Sequence, residues 1–219
     1  MIDGTGLALV GGAIALYLYD ASLMLFRDEV VFTRGCRGWR ATLGGGLLLG
    51  GRYLVLPTAW IPGRPVFRAC WAEAGRTGSR TSMGPFLQAL RPLQWASRVL
   101  ALLLFVAMPA GLFLQAGPAW MLTLMLALYG IAVACVAWIW RCRRKLGLDA
   151  KGVGSIAFDV IACPPFAVNV VMKLTLRAGL PRAPEAFARR VLAPGDCTAL
   201  LRMAHARMHP AAFSEDGTQ

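Results

Sequence analysis

Few side chains in this 219-residue chain could do chemistry, and those that could lie in apolar text where a polar group is costly. Asp20 stands between Tyr19 and Ala21, in the inner half of an apolar run from Gly6 to Phe26. A carboxylate there needs a hydrogen-bond donor, a cation, water or a proton. Two roles fit it: a structural bond to a neighbouring helix, or a proton or ion site. On a continuous helix Tyr17 and Met24 share its face, and Arg27 is about 10 Å along the same side and reaches back only in part. Asp159 and Asn169 flank the pair Pro164-Pro165. The second proline disfavours helical geometry at the first, and neither has an amide proton, so a helix is interrupted between the two polar residues. Broken helices with polar side chains line cavities in transporters, because irregular backbone at membrane depth must be covered by protein or wet. No inverted repeat of these segments occurs in the chain.

Other familiar constellations are missing. His205 and His209 stand four apart, a spacing that can chelate a metal from one helical face. Arg202 shares roughly that face, no Glu follows His205 as in HExxH, and no third ligand is evident, so a solvated polar face is the reading. Cys36, Cys70, Cys135, Cys142, Cys163 and Cys197 contain no CxxC pair and no metal-finger spacing, which leaves isolated thiols. Gly44 to Gly51 has neither the phosphate-loop nor the dinucleotide spacing. No nucleophile has a base beside it, since both histidines are in the tail, and no GxSxG occurs. The chain therefore reads as non-catalytic, without cofactor or metal.

The elements that position these residues are read from apolar runs. Val99 to Trp140 has no charged residue over roughly 40 positions, where a helix needs about 20 to cross a bilayer core. It is a hairpin of two spans, cornered at Gln115-Ala116-Gly117-Pro118. Trp95, Trp120, Trp138 and Trp140 fall near the proposed ends, where indoles favour the headgroup layer, and Arg141, Arg143, Arg144 and Lys145 form a dense basic stop. Gly6 to Phe26 lacks the cationic start of a secretory signal and reads as an uncleaved first span. With 57% apolar and 16% charged residues and a mean hydropathy of +0.56, the composition agrees.

Between Glu29 and Trp71, short β-like runs alternate with turn residues and predict a small antiparallel sheet at the membrane face. The rival reading makes Ala41 to Pro62 a span, but Arg52 at its centre would cost about 2.5–3.5 kcal/mol. Ala72 to Arg91, with its glycines and serines, reads as a polar linker. Gly152 to Leu174 reads as two half-helices meeting at an elbow, re-entrant or interfacial, with a proline-kinked fourth span as its rival. The tail predicts two short helices: one opening at Pro184-Glu185 with Phe187 and Val191 on a face, and one capped by Asp196 with Cys197, Leu200, Leu201, Ala204 and Met208 as a stripe.

The expectation is thus a multi-pass α-helical membrane protein: a first span (1–27), a cytoplasmic β-rich insertion and linker (28–91), a transmembrane hairpin (92–145), a broken apolar segment (146–180) and a basic amphipathic tail (181–219). All 23 basic residues fall on one side if three spans run from an external N-terminus to a cytoplasmic C-terminus, which suits a bacterial inner membrane. A net charge of +12 is then explained by orientation and anionic lipid headgroups, and nucleic acid is not expected as a partner. Two functions compete. One is a non-catalytic scaffold or accessory subunit whose cytoplasmic sheet and tail hold protein partners at the bilayer; membrane lipids and either protein partners or a homo-oligomer are the expected associations. The other is a channel or transporter subunit using Asp20 and the elbow of Asp159, Pro164, Pro165 and Asn169.

Overall fold

The computed structural model describes residues 4–35, 38–44, 47–71 and 83–208. The chain divides into two compact units. The first comprises Met1–Ala21, Thr58–Arg64 and Met83–Leu174, and the second Ser22–Pro57, Pro65–Ser82 and Thr175–Gln219. The architecture is mixed: an N-terminal helix, a β-sheet insertion and two long apolar helices.

In the first unit α1 spans Gly4–Ala21. It stops short of the expected Phe26, because Leu23–Leu25 leave the helix as strand β1. Asp20 therefore lies in the last turn of its helix rather than deep within it, and Met24 and Arg27 lie beyond the helix altogether. The next helix, α2 (Met83–Leu102), continues through a π-helical turn at Leu103–Ala107 into α3 (Met108–Phe113). Nine residues assigned to the linker, 83–91, are helical, while Ala72 to Ser82 fall outside the described residues. Gly84 counts with the linker in the sequence, but a first helical turn tolerates it, as it does the Pro85 that follows. Phe86, Ala89, Leu90 and Leu93 then form a buried stripe at helical spacing. The turn widens just ahead of Pro109, which has no amide to offer a regular helix.

The corner falls where the sequence places it. Gln115 takes a positive φ of 51°, Gly117 is extended, and Pro118 opens α4 (Pro118–Leu146). At the far end Gly147 adopts φ 64°, and the amides of Gly147 and Leu148 return to the carbonyls of Arg144 and Arg143. That is a Schellman closure, and Arg143, Arg144 and Lys145 in the last turn complement the helix dipole. Among the described residues, Met83–Phe113 and Pro118–Leu146 are the two helices long and apolar enough to cross a membrane.

Beyond them, Asp149 caps α5 (Ala150–Ala162), its carboxylate accepting from the Gly152 amide at 2.8 Å. Cys163 is extended at φ −141° and ψ 97°, Pro164 opens α6 (Pro164–Val168), and after a turn at Asn169 the chain resumes as α7 (Val170–Ala178). The helix is thus broken one residue before the proline pair, because a residue preceding proline is driven out of the α region.

A second constraint in this unit is Gly63, whose φ is +75°. A Cβ there would stand 2.8 Å from the Gln94 carbonyl oxygen and 3.1 Å from its Cα, both backbone atoms of α2. Gly63→Ala is expected to destabilise the helical unit by about 2 kcal/mol or more through left-handed strain and displacement of α2. Thermal unfolding in mild detergent would measure it, and an unchanged midpoint would contradict the packing described.

Among the described residues the second unit holds two three-stranded antiparallel sheets where the sequence reading had one. Strand β1 pairs with β5 (Arg52–Val55), which pairs with β4 (Leu47–Leu49). In the other sheet β2 (Glu29–Gly35) lies between β3 (Gly38–Thr42) and β6 (Val66–Cys70). The stretch read alternatively as a span, Ala41 to Pro62, contains the end of β3 together with β4 and β5 and, among its described residues, no helix; Arg52 lies over the Phe26 ring at 4.4 Å. The tail supplies α8 (Pro184–Val191) and α9 (Pro194–Met208). Pro194, rather than Asp196, opens α9, and Asp196 falls in its first turn, where its charge suits the dipole. Phe187 packs edge-on against Phe32 and Trp39, each with ring centres 5.1 Å apart. Arg207 donates to the carbonyls of Leu43 and Gly44 and stacks on Tyr53 at 3.9 Å, fastening α9 to the strands.

Candidate functional site

Polar side chains converge in the helical unit where α1, α5, α6 and α7 meet. Lys173, on α7, is the hub. Its Nζ is 3.0 Å from Oδ1 of Asp20 and 3.6 Å from Oδ2 of Asp159, and it lies 4.5 Å above the Phe166 ring. The three side chains are 20%, 11% and 37% exposed respectively, so Asp20 is enclosed while Asp159 keeps a solvent-accessible edge. One ammonium therefore answers two carboxylates from two other helices. A carboxylate in the last turn of α1 also opposes that helix's dipole, which makes a cation especially favourable there. Asp20 Oδ2 is buried and, among the described residues, meets no donor within hydrogen-bond geometry.

Asn169 sits one helical turn before Lys173, in the break between α6 and α7, and is buried. Its Oδ1 accepts from Thr58 Oγ at 3.2 Å, and its Nδ2 donates to the Tyr17 carbonyl at 3.4 Å. The Tyr17 hydroxyl donates to the Thr58 carbonyl at 2.8 Å, closing a ring of three residues. The ring ties a loop residue to α1 and to the break between α6 and α7, and every member is buried. A buried polar network in which the donors are used is rigid, because each broken bond leaves an unsatisfied group.

Of the residues singled out from the sequence, Asp20 and Asp159 meet at Lys173, and Asn169 stands beside them. Pro164 and Pro165 shape the elbow: Pro165 is buried, and Pro164 is the first residue of α6. The basic anchors Arg141, Arg143, Arg144 and Lys145 close α4, with Arg143 over Trp140 at 4.3 Å. His205 directs Nδ1 to the Leu201 carbonyl at 2.9 Å, and His209 lies outside the described residues, as does Cys36. Among the described residues no group of three His, Cys, Asp or Glu side chains gathers as a metal would require.

Two participants escaped the sequence reading. Lys173 carried a signal: it is one of three lysines in the chain, and it lies four residues after Asn169 in an apolar run that also holds Asp159. An enclosed acid needs a cation, and an apolar run carrying one is the place to look. Thr58 carried no signal, since it is a loop residue whose hydroxyl matters only through a partner 111 positions away. No protein-family model matches the chain, and neither the curated proteins nor the solved structures contain one that does.

Proposed function

We propose that the chain is an integral membrane scaffold or accessory protein: a helical unit fixed in the bilayer, carrying a basic β-rich unit that holds partners at the cytoplasmic face. The observation behind it is how the polar side chains of the helical unit are used. Asp20 and Asp159 share Lys173, while Asn169, Thr58 and Tyr17 satisfy one another. Groups that a transport cycle would need for binding and release are engaged in joining α1, α5 and α7. Bilayer insertion is supported by exposure: 22% and 28% of the apolar windows in α2–α3 and α4 are buried, the reverse of a core helix in a water-soluble protein. Leu102, Val106, Phe113, Leu122, Leu126 and Val133 all face outward.

In this reading α1 is a third span and α5 to α7 stay on one side. The 13 residues of α5 reach about 20 Å, short of a hydrocarbon core of about 30 Å, and the break at Cys163 prevents extension. The expected topology places Gly117 outside and Gln219 in the cytoplasm. Reporter fusions at the two positions check this. A cytoplasmic signal at Gly117, or a periplasmic one after Gln219 from an intact product, would overturn it.

A channel or transporter subunit is the second reading. It is favoured by the buried, donor-free Asp20 Oδ2 and by the exposed edge of Asp159, which give Lys173 two carboxylates to choose between. Purification from native membranes in mild detergent separates the two: a stoichiometric complex with other proteins supports the scaffold, and a homo-oligomer alone supports transport.

A further inference from the structure

We propose that the outer hairpin of the second unit, β4 and β5, docks on the surface of an anionic phospholipid bilayer. The proposal rests on the membrane reading above. The cross-strand register puts Met24, Leu54 and Leu47 in one row across the full width of the β1-β5-β4 sheet, on one face. Leu49 follows on the same face, opposite Arg52. Met24, Leu47 and Leu49 are exposed, and Leu54 is half-buried. Leu48 points to the other face and is exposed as well.

The outer strand is therefore apolar on both sides, and that decides between occupants. A protein docked on one face would leave the other in water. A second copy pairing along the free edge of β4 would satisfy its backbone but leave the leucines on both faces uncovered. An apolar fluid covers both faces at once. The surrounding charge agrees with a phospholipid surface: residues 22–57 contain five arginines against two carboxylates, and Arg27, Arg34, Arg40 and Arg52 are exposed. Arg52, paired with Leu49 at the tip, matches anionic headgroups above acyl chains, and the other arginines add to the basic charge of this segment.

Depth is limited by the backbone. Among the described residues β4 pairs with β5 alone, so its outer amides and carbonyls face away from the sheet. They can be satisfied in the hydrated headgroup layer and not in the hydrocarbon core. Leu48 is expected at the headgroup–acyl boundary, at about the 5–10 Å reached by interfacial helices.

The test uses the full chain in phosphatidylglycerol-containing nanodiscs, with a fluorophore attached at Leu48→Cys and, separately, at Leu47→Cys, Glu185→Cys and Val133→Cys. The unsubstituted protein provides the background from native cysteines. Expected is quenching at positions 47 and 48 by lipids brominated near the head end of the acyl chain, and iodide access about twofold or more below that at position 185. Iodide access equal to position 185, with no quenching by brominated lipid, would overturn the proposal. So would copy-to-copy crosslinking at position 48 in place of lipid quenching, which would assign the strand to a second copy. Position 133, on α4, reports spanning separately. Quenching there by deeply brominated lipid keeps the membrane reading whatever the hairpin does, and its absence removes both.

Discussion

Asp20→Leu is expected to lower the stability of the helical unit by about 3 kcal/mol, the lower end of the range for removing one partner of a buried ion pair. The loss comes less from the missing attraction than from Lys173, whose side chain is only 20% exposed in the parent and which would keep Asp159 as its one carboxylate, at 3.6 Å. Removing both charges tests that origin. Asp20→Leu combined with Lys173→Met should recover much of the loss, because two apolar groups in a packed site carry no desolvation penalty. Asp20→Asn keeps an acceptor oxygen for Lys173 and should retain assembly, stability in detergent and the phenotype of the intact gene. The scaffold and transport readings part here. An Asp20→Asn protein that assembles normally but has lost its phenotype would put the channel or transporter reading first.

Asn169→Leu is expected to cost about 1–3 kcal/mol, measured as a drop in the unfolding midpoint in detergent. The substitution strands the Thr58 hydroxyl, fully buried at 0% exposure, without its oxygen acceptor. Adding Thr58→Val removes the stranded group. The double variant should then be closer to the parent than Asn169→Leu is, since replacing both partners by apolar groups is far less costly than removing one. Equal losses in the single and double variants would mean that Asn169 acts through the geometry of the α6–α7 break, where its φ is −96°, and not through the Thr58 bond.

What could be read from the sequence was local. Pro164-Pro165 dictates a helix break from covalent structure alone, Gln115 to Pro118 dictates a corner, and Glu185 in the first turn of α8 follows from dipole and proline preferences. Local rules also misled. Gly84 resembles a linker residue, and only the buried stripe from Phe86 to Leu93 outweighs it. The end of α1 at Ala21 was hidden because Leu-Met-Leu suits a helix as well as a strand, and its pairing with Tyr53–Val55 is a tertiary choice. The division into two sheets was equally out of reach, since alternation marks strands without naming their neighbours. Of the site, the two carboxylates and Asn169 were legible as misplaced polarity. The cation that answers Asp20 was counted only as one more positive charge, because its place in an apolar run marks it as a partner for some enclosed acid without saying which one.

The meeting of Asp20 and Lys173 has a consequence in time. About 150 residues separate them, and at about 5–20 residues per second the ribosome needs roughly 8–30 s to deliver the lysine after the aspartate. Throughout that interval, α1, inserted as proposed, carries an unanswered acid. Its position in the last turn of the helix is what makes the wait tolerable, since the carboxylate can stay among headgroups and water until α7 arrives. Helix α1 of the nascent chain is therefore held in a provisional register, and it is locked only when α7 has brought Lys173 to it.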